Sequence, residues 1–106
     1  MSTPDMFREI ALSLEGTREA PHFDRKAFKA RRIYATLAAD GKTANIRLAP
    51  DEQTLKCLTH AEAFSQIDNA WGRQGWTRCD LARLERAELE QVLALAWNHA
   101  SAKKTR

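Results

Sequence analysis

The stretch Ile33-Tyr34-Ala35-Thr36-Leu37-Ala38-Ala39-Asp40-Gly41-Lys42-Thr43-Ala44-Asn45-Ile46-Arg47-Leu48 decides the fold class. Apolar and polar residues alternate on both sides of Asp40-Gly41, and Asp-Gly between alternating runs is a strong local signal for a β-hairpin. A two-residue loop there sets Leu37 opposite Ala44, Ala35 opposite Ile46 and Ile33 opposite Leu48, so the apolar residues of both strands share one face. The other face then carries Tyr34 opposite Arg47, Thr36 opposite Asn45 and Ala38 opposite Thr43.

On the N-terminal side, Thr3-Pro4-Asp5 has the chemistry of a helix start: a hydroxyl cap, a proline where no N–H is needed, and an acid at the positive end of the dipole. Met6, Phe7, Ile10, Ala11 and Leu14 follow at helical spacing, with Gly16 as the expected terminator. Pro21 to Phe28 is a region of mixed charge leading into the hairpin.

On the C-terminal side, Pro50-Asp51-Glu52 opens a short helix with Leu55 and Leu58 on its expected buried side. Ala61 to Phe64 reads as a further helical turn, broken at Asp68-Asn69. Trp71 to Gly75 reads as a glycine-punctuated loop, and Trp76 to Leu81 as a strand with Thr77, Cys79 and Leu81 on one side and Trp76, Arg78 and Asp80 on the other. A last helix spans about Arg86 to Ala100, with Leu89, Val92, Leu93, Ala96, Trp97 and Ala100 on one stripe and Leu95 outside it.

This order predicts an α+β domain: an antiparallel β-sheet with N- and C-terminal helices packed on one face and a short helix inserted between strands. The opposite face is left to solvent or a partner. A chain of 106 residues has room for one core, so residues 1–100 are read as a single domain and 101–106 as a flexible basic tail. The N-terminus has no basic region followed by an apolar one, and no apolar run is long enough for a membrane span, so a cytoplasmic protein is expected. Cys57 and Cys79 are expected to be reduced.

Of the 17 basic residues, Lys103, Lys104 and Arg106 lie in the tail, leaving 14 against 14 acidic residues. A basic partner site must therefore come from clustering rather than from excess. Arg25, Lys26, Lys29, Arg31 and Arg32 are such a cluster, suited either to phosphates or to guarding an edge strand against aggregation. Tyr34, Arg47, Trp76 and Arg78 fall on the open face, where aromatic rings beside arginines suit base stacking or plain cation–π packing. The run Trp71-Gly72-Arg73-Gln74-Gly75-Trp76-Thr77 is either a recognition loop, with Arg73 and Gln74 as donors, or a pair of tryptophan anchors for the core.

His22, His60 and His99 are scattered, and Cys57-x-x-His60 lacks the second ligand pair of a structural zinc site, so neither metal nor cofactor is expected. The chain has no G-x-S-x-G, P-loop or G-x-G-x-x-G pattern, and His22 near Asp24 is too generic to name a reaction. A non-enzymatic role is expected, with an enzyme as a third reading in which His22 is the residue to test first.

Pro21-His22-Phe23, the hairpin running into Leu48-Ala49-Pro50-Asp51-Glu52-Gln53, and Trp71 to Thr77 with Asp80-Leu81 occur in an order that resembles the MmcQ/YjbR family, from about Met6 to Trp97. The resemblance implies a compact fold of frataxin or CyaY type and the DNA-binding label that many relatives carry. Arg31-Arg32 departs from the glycine common at that turn. Iron binding is not implied, because Asp5, Glu9 and Glu15 alone do not make an acidic ridge.

The expected function is weak, low-specificity DNA binding by a monomer. Arg25, Lys26, Lys29, Arg31 and Arg32 would contact phosphates, with Tyr34, Arg47, Arg73, Trp76 and Arg78 on or beside the open face. The alternative is a protein-interaction or small-ligand module centred on the Trp71–Trp76 loop, with Leu95 at a protein interface.

Overall fold

The computed structural model describes residues 1–102, so the expected tail lies outside them apart from Ser101, which still closes the last helix, and Ala102. In chain order the elements are α1 (Pro4–Ser13), β1 (Arg18–His22), β2 (Arg25–Lys29), β3 (Ile33–Leu37), β4 (Thr43–Arg47), α2 (Pro50–Thr59), β5 (Phe64–Gln66), α3 (Ala70–Arg73), β6 (Trp76–Asp80) and α4 (Arg86–Ser101). The strands form one antiparallel sheet in the order β1-β2-β3-β4-β6-β5. Helix α4 packs across β3 and β4 and against α1, giving the expected α+β arrangement with both terminal helices on one face.

The capping chemistry at Thr3 is realised: its hydroxyl accepts the Met6 N–H at 3.1 Å. Phe7, Ile10 and Ala11 are buried, and Phe7 meets Phe28 of β2 edge-on with ring centroids 5.4 Å apart. Helix α1 ends at Ser13, before the expected Gly16. At the other end of the chain the Glu88 carboxylate accepts the Glu85 N–H at 2.9 Å and starts α4, which buries Leu89, Val92, Leu93, Ala96 and Ala100. Each fully buried leucine or phenylalanine side chain contributes ~1.5–3 kcal/mol relative to exposure.

The β3–β4 register matches the alternation at Leu37–Ala44, Ala35–Ile46 and Thr36–Asn45. Its loop is longer than the two residues expected. Ala38 still pairs with Thr43, and the Gly41 N–H donates to the Ala38 carbonyl at 2.9 Å, leaving a loop of residues 39–42. A two-residue type I′ turn needs positive φ at both central residues; here Gly41 has φ 73° and Asp40 stays in the ordinary region.

The larger departure lies at the start of β3. Phe28 pairs with Ala35 but Lys29 pairs with Ile33, so Tyr34 is an extra residue in a β-bulge. A bulge inverts the alternation beyond it. Tyr34 therefore turns to the helices and is fully buried, contrary to its expected place on the open face. Its hydroxyl donates to the Ala11 carbonyl at 3.3 Å and lies 2.9 Å from the Thr17 hydroxyl. Burial pushes the Tyr34 phenol pKa up.

Three local expectations change. Phe64 begins β5 instead of ending a helical turn. Leu55 and Leu58 are 59% and 76% exposed, because α2 turns Gln53 inward instead. The Gln53 amide donates to the carbonyls of Gly72 (2.9 Å) and Trp76 (3.1 Å), tying α2 to the β6 end of the sheet. Finally, α3 replaces part of the expected loop, because the Asn69 side chain accepts the N–H groups of Trp71 and Gly72 as a helix cap. Cys57 and Cys79 are free thiols. Among the described residues no helix is long and apolar enough to cross a membrane.

Candidate functional site

The sheet face opposite α1 and α4 holds a groove of about 660 Å³. Its floor comes from the central strands: Ile33 and Thr36 of β3, then Asn45 and Arg47 of β4. The β1–β2 turn, His22-Phe23-Asp24-Arg25, makes one wall. Ile67, Asn69, Trp71 and Trp76 make the other, while Lys29, Arg31 and Arg32 supply the end nearest the β2–β3 connection. Ile33 reaches this face because of the Tyr34 bulge.

Five cations line the groove: Arg25, Lys29, Arg31, Arg32 and Arg47, against the single carboxylate of Asp24. Among the described residues none of the five pairs with a carboxylate. Three are held in place by neutral oxygens instead. Arg25 donates to the Thr36 hydroxyl at 2.9 Å and the Thr36 carbonyl at 3.3 Å. Arg32 donates to the His99 carbonyl at 2.9 Å and the Ala100 carbonyl at 3.4 Å, the unpaired acceptors at the end of α4. Arg47 donates to the Gln74 carbonyl at 3.3 Å and stands directly across the sheet from Trp76. Orientation by neutral oxygens leaves Arg25 and Arg47 without a carboxylate partner and available to an anion, whereas the Arg32 guanidinium is turned to the negative C-terminal end of α4, on the helix side of the sheet.

Lys26 of the expected cluster does not join the groove; it faces away and lies 3.7 Å from Glu19. Glu19 also accepts from Arg8 at 2.8 Å, and that bond holds its carboxyl below the usual carboxylate range. Arg73 and Arg78 are exposed but outside the groove lining, with Arg78 on the open face between Asn45 and Ser65. The residues gathered are thus Arg25, Lys29, Arg31, Arg32, Arg47 and Trp76, while Lys26, Tyr34, Arg73 and Arg78 stand apart.

The tryptophan–glycine run divides its work. An added Cβ at Gly72 would lie 1.6 Å from the Ile67 carbonyl oxygen, and one at Gly75 would lie 2.0 Å from that of Leu48. These glycines let two backbones touch, which seats Trp76, half-buried, beside Arg47. Trp71 is 60% exposed and so does not anchor the core.

Sequence reasoning missed Phe23, Ile33 and Asn69 as lining residues. Asn69 carried a detectable signal, a capping side chain three residues before a glycine. Phe23 carried none, since a bulky aromatic is not turn chemistry.

No family model matches this sequence, and no curated protein matches it. Its fold is similar to the crystal structure of Deinococcus radiodurans protein DR2400, which holds a DUF419 domain. The TM-score is 0.83, the match covers 97% of this chain and 81% of that one, and the identity is 18%. DUF419 is the MmcQ/YjbR family, so what this likeness establishes is the shared fold of a six-stranded sheet with helices on one face.

Proposed function

We propose that this chain is a cytoplasmic, non-enzymatic module that binds single-stranded DNA weakly and with little sequence preference, and that it is a frataxin-like relative of the MmcQ/YjbR family. The observation that carries the reading is the convergence of four cations without a carboxylate partner, Arg25, Lys29, Arg31 and Arg47, with Trp71 and Trp76 in one groove. Cations serve phosphates, and accessible rings serve unstacked bases, which a duplex hides. Stacking and charge do not depend on base identity, so sequence preference stays low.

Magnitude supports weak binding. Each phosphate contact to a single strand steepens the dependence of log K on log salt by about 0.7, so four contacts limit the slope to about −2.8. Fluorescence anisotropy with a labelled oligothymidylate at about 50 mM salt and above tests this. Arg31→Ala with Arg32→Ala should flatten the slope by about 0.7, the loss of the Arg31 contact. Absence of salt-dependent binding by the wild-type protein overturns the reading.

Exposed Trp71 favours a second reading, a protein or small-ligand site on that wall. It wins if Trp76→Ala abolishes capture of a partner by the folded protein while the Arg31/Arg32 double variant leaves capture intact.

A further inference from the structure

The β1–β2 turn holds an unusual residue for its geometry. His22 pairs with Arg25, leaving Phe23 and Asp24 as the two central residues. Phe23 has φ 59°, the only non-glycine residue with positive φ among the described residues. The first central position of such a turn, where φ is positive, normally belongs to glycine. A side chain with a Cβ avoids that region, and a bulky aromatic avoids it most.

Burial does not hold Phe23 in place. Its residue surface is 94% exposed, and its aromatic neighbour is His22, edge-on with centroids 4.9 Å apart. The free protein thus keeps a large apolar ring in water on a strained backbone, and strain of this kind concentrates at ligand clamps. The ring stands on the wall of the cationic groove across from the Trp71 wall. Arg25 at the base of the turn is fixed to Thr36, so the tip is carried on a tethered strand. Asp24 beside the ring repels phosphate and leaves the tip to an uncharged base.

We infer that Phe23 is a base-stacking wedge: it takes the face of an unpaired base in a strand lying along the groove, and so selects unstacked single strands over duplex. This rests on the single-strand reading above and assigns it a residue outside the basic cluster.

The test compares oligothymidylate with an abasic strand of the same length and charge, using the wild-type protein, Phe23→Gly and Phe23→Trp. Phe23→Gly should weaken oligothymidylate binding roughly 5-fold or more, the loss of one base–aromatic stack, and leave abasic-strand binding unchanged. Its thermal midpoint should not fall, because glycine suits the turn. Phe23→Trp should retain the preference for bases. Equal loss on both strands, or wild-type affinity of Phe23→Gly, overturns the wedge and leaves the proposed function standing. No salt-dependent binding of either strand by the wild-type protein overturns both.

Discussion

Gly75→Ala is the sharpest structural perturbation available beside the groove. At φ 106° the new Cβ would sit 2.0 Å from the Leu48 carbonyl oxygen and 3.2 Å from its carbon. Relief requires the start of β6 to withdraw from the end of β4. That movement strains the bond from the Leu48 N–H to the Gly75 carbonyl at 2.9 Å, and the Thr77 hydroxyl bond to the same carbonyl at 3.0 Å. Backbone strain of ~1–3 kcal/mol adds to ~1–3 kcal/mol for a buried carbonyl left poorly satisfied. The stiffer unfolded chain offsets ~0.4–1 kcal/mol, so the net loss is about 3 kcal/mol. For a domain of this size each kcal/mol shifts the midpoint by ~4–8 °C, giving a fall of about 12–24 °C. Urea and thermal denaturation followed by tryptophan fluorescence measure it. A loss below about 1 kcal/mol, the average for point substitutions in general, would refute the close approach as the reason for glycine here.

Tyr34→Phe should cost about 1 kcal/mol of stability through loss of the bonds to Ala11 and Thr17, with no change in affinity for a single strand; reduced affinity in a titration would put Tyr34 in the groove after all. Burial pushes the Cys79 thiol up to about 12, against ~8.5 in an unfolded chain. Because the folded pKa is the higher, this contribution is complete below ~8.5 and is lost as pH rises from there towards about 12. Urea midpoints across alkaline pH should fall more steeply for the wild-type protein than for Cys79→Ala, and parallel curves would contradict the assignment.

The parts of the fold that could be read from sequence are those where two local rules agree. At Asp40-Gly41 turn chemistry and alternation coincide, and the Leu37–Ala44 register follows even though the loop closes differently. At Thr3 and Arg86 helical spacing and helix-start position coincide. The bulge at Tyr34 obeys no local rule. Alternation places Tyr34 with Thr36, and only the hydroxyl's partners on α1 and at Thr17 draw it to the other face. The β1–β2 hairpin was hidden for a related reason: Phe23 occupies a turn position that local energetics assign to glycine.

Half of the candidate site was legible as well. The cluster Arg25, Lys29, Arg31 and Arg32 and the polar face with Thr36, Asn45, Arg47 and Trp76 came from spacing alone. Lys26 was misplaced because strand parity sends it to the helix side, where Glu19 meets it. Leu55 and Leu58 were misread because buried Gln53, with two backbone carbonyls as acceptors, outweighed the apolar stripe of α2.

The extra residue at Tyr34 makes chain length, as well as residue identity, assign side chains to faces at this end of the sheet. Losing Ile33 would restore strict alternation, turn the phenol into the groove and send Arg32 towards the core. Point substitutions can adjust the lining of the groove one side chain at a time. A single-codon deletion between Lys29 and Ala35 would rewrite a whole corner of it in one step, exchanging a cation-lined end for an aromatic one at the expense of the tyrosine bonds that now close the helix layer.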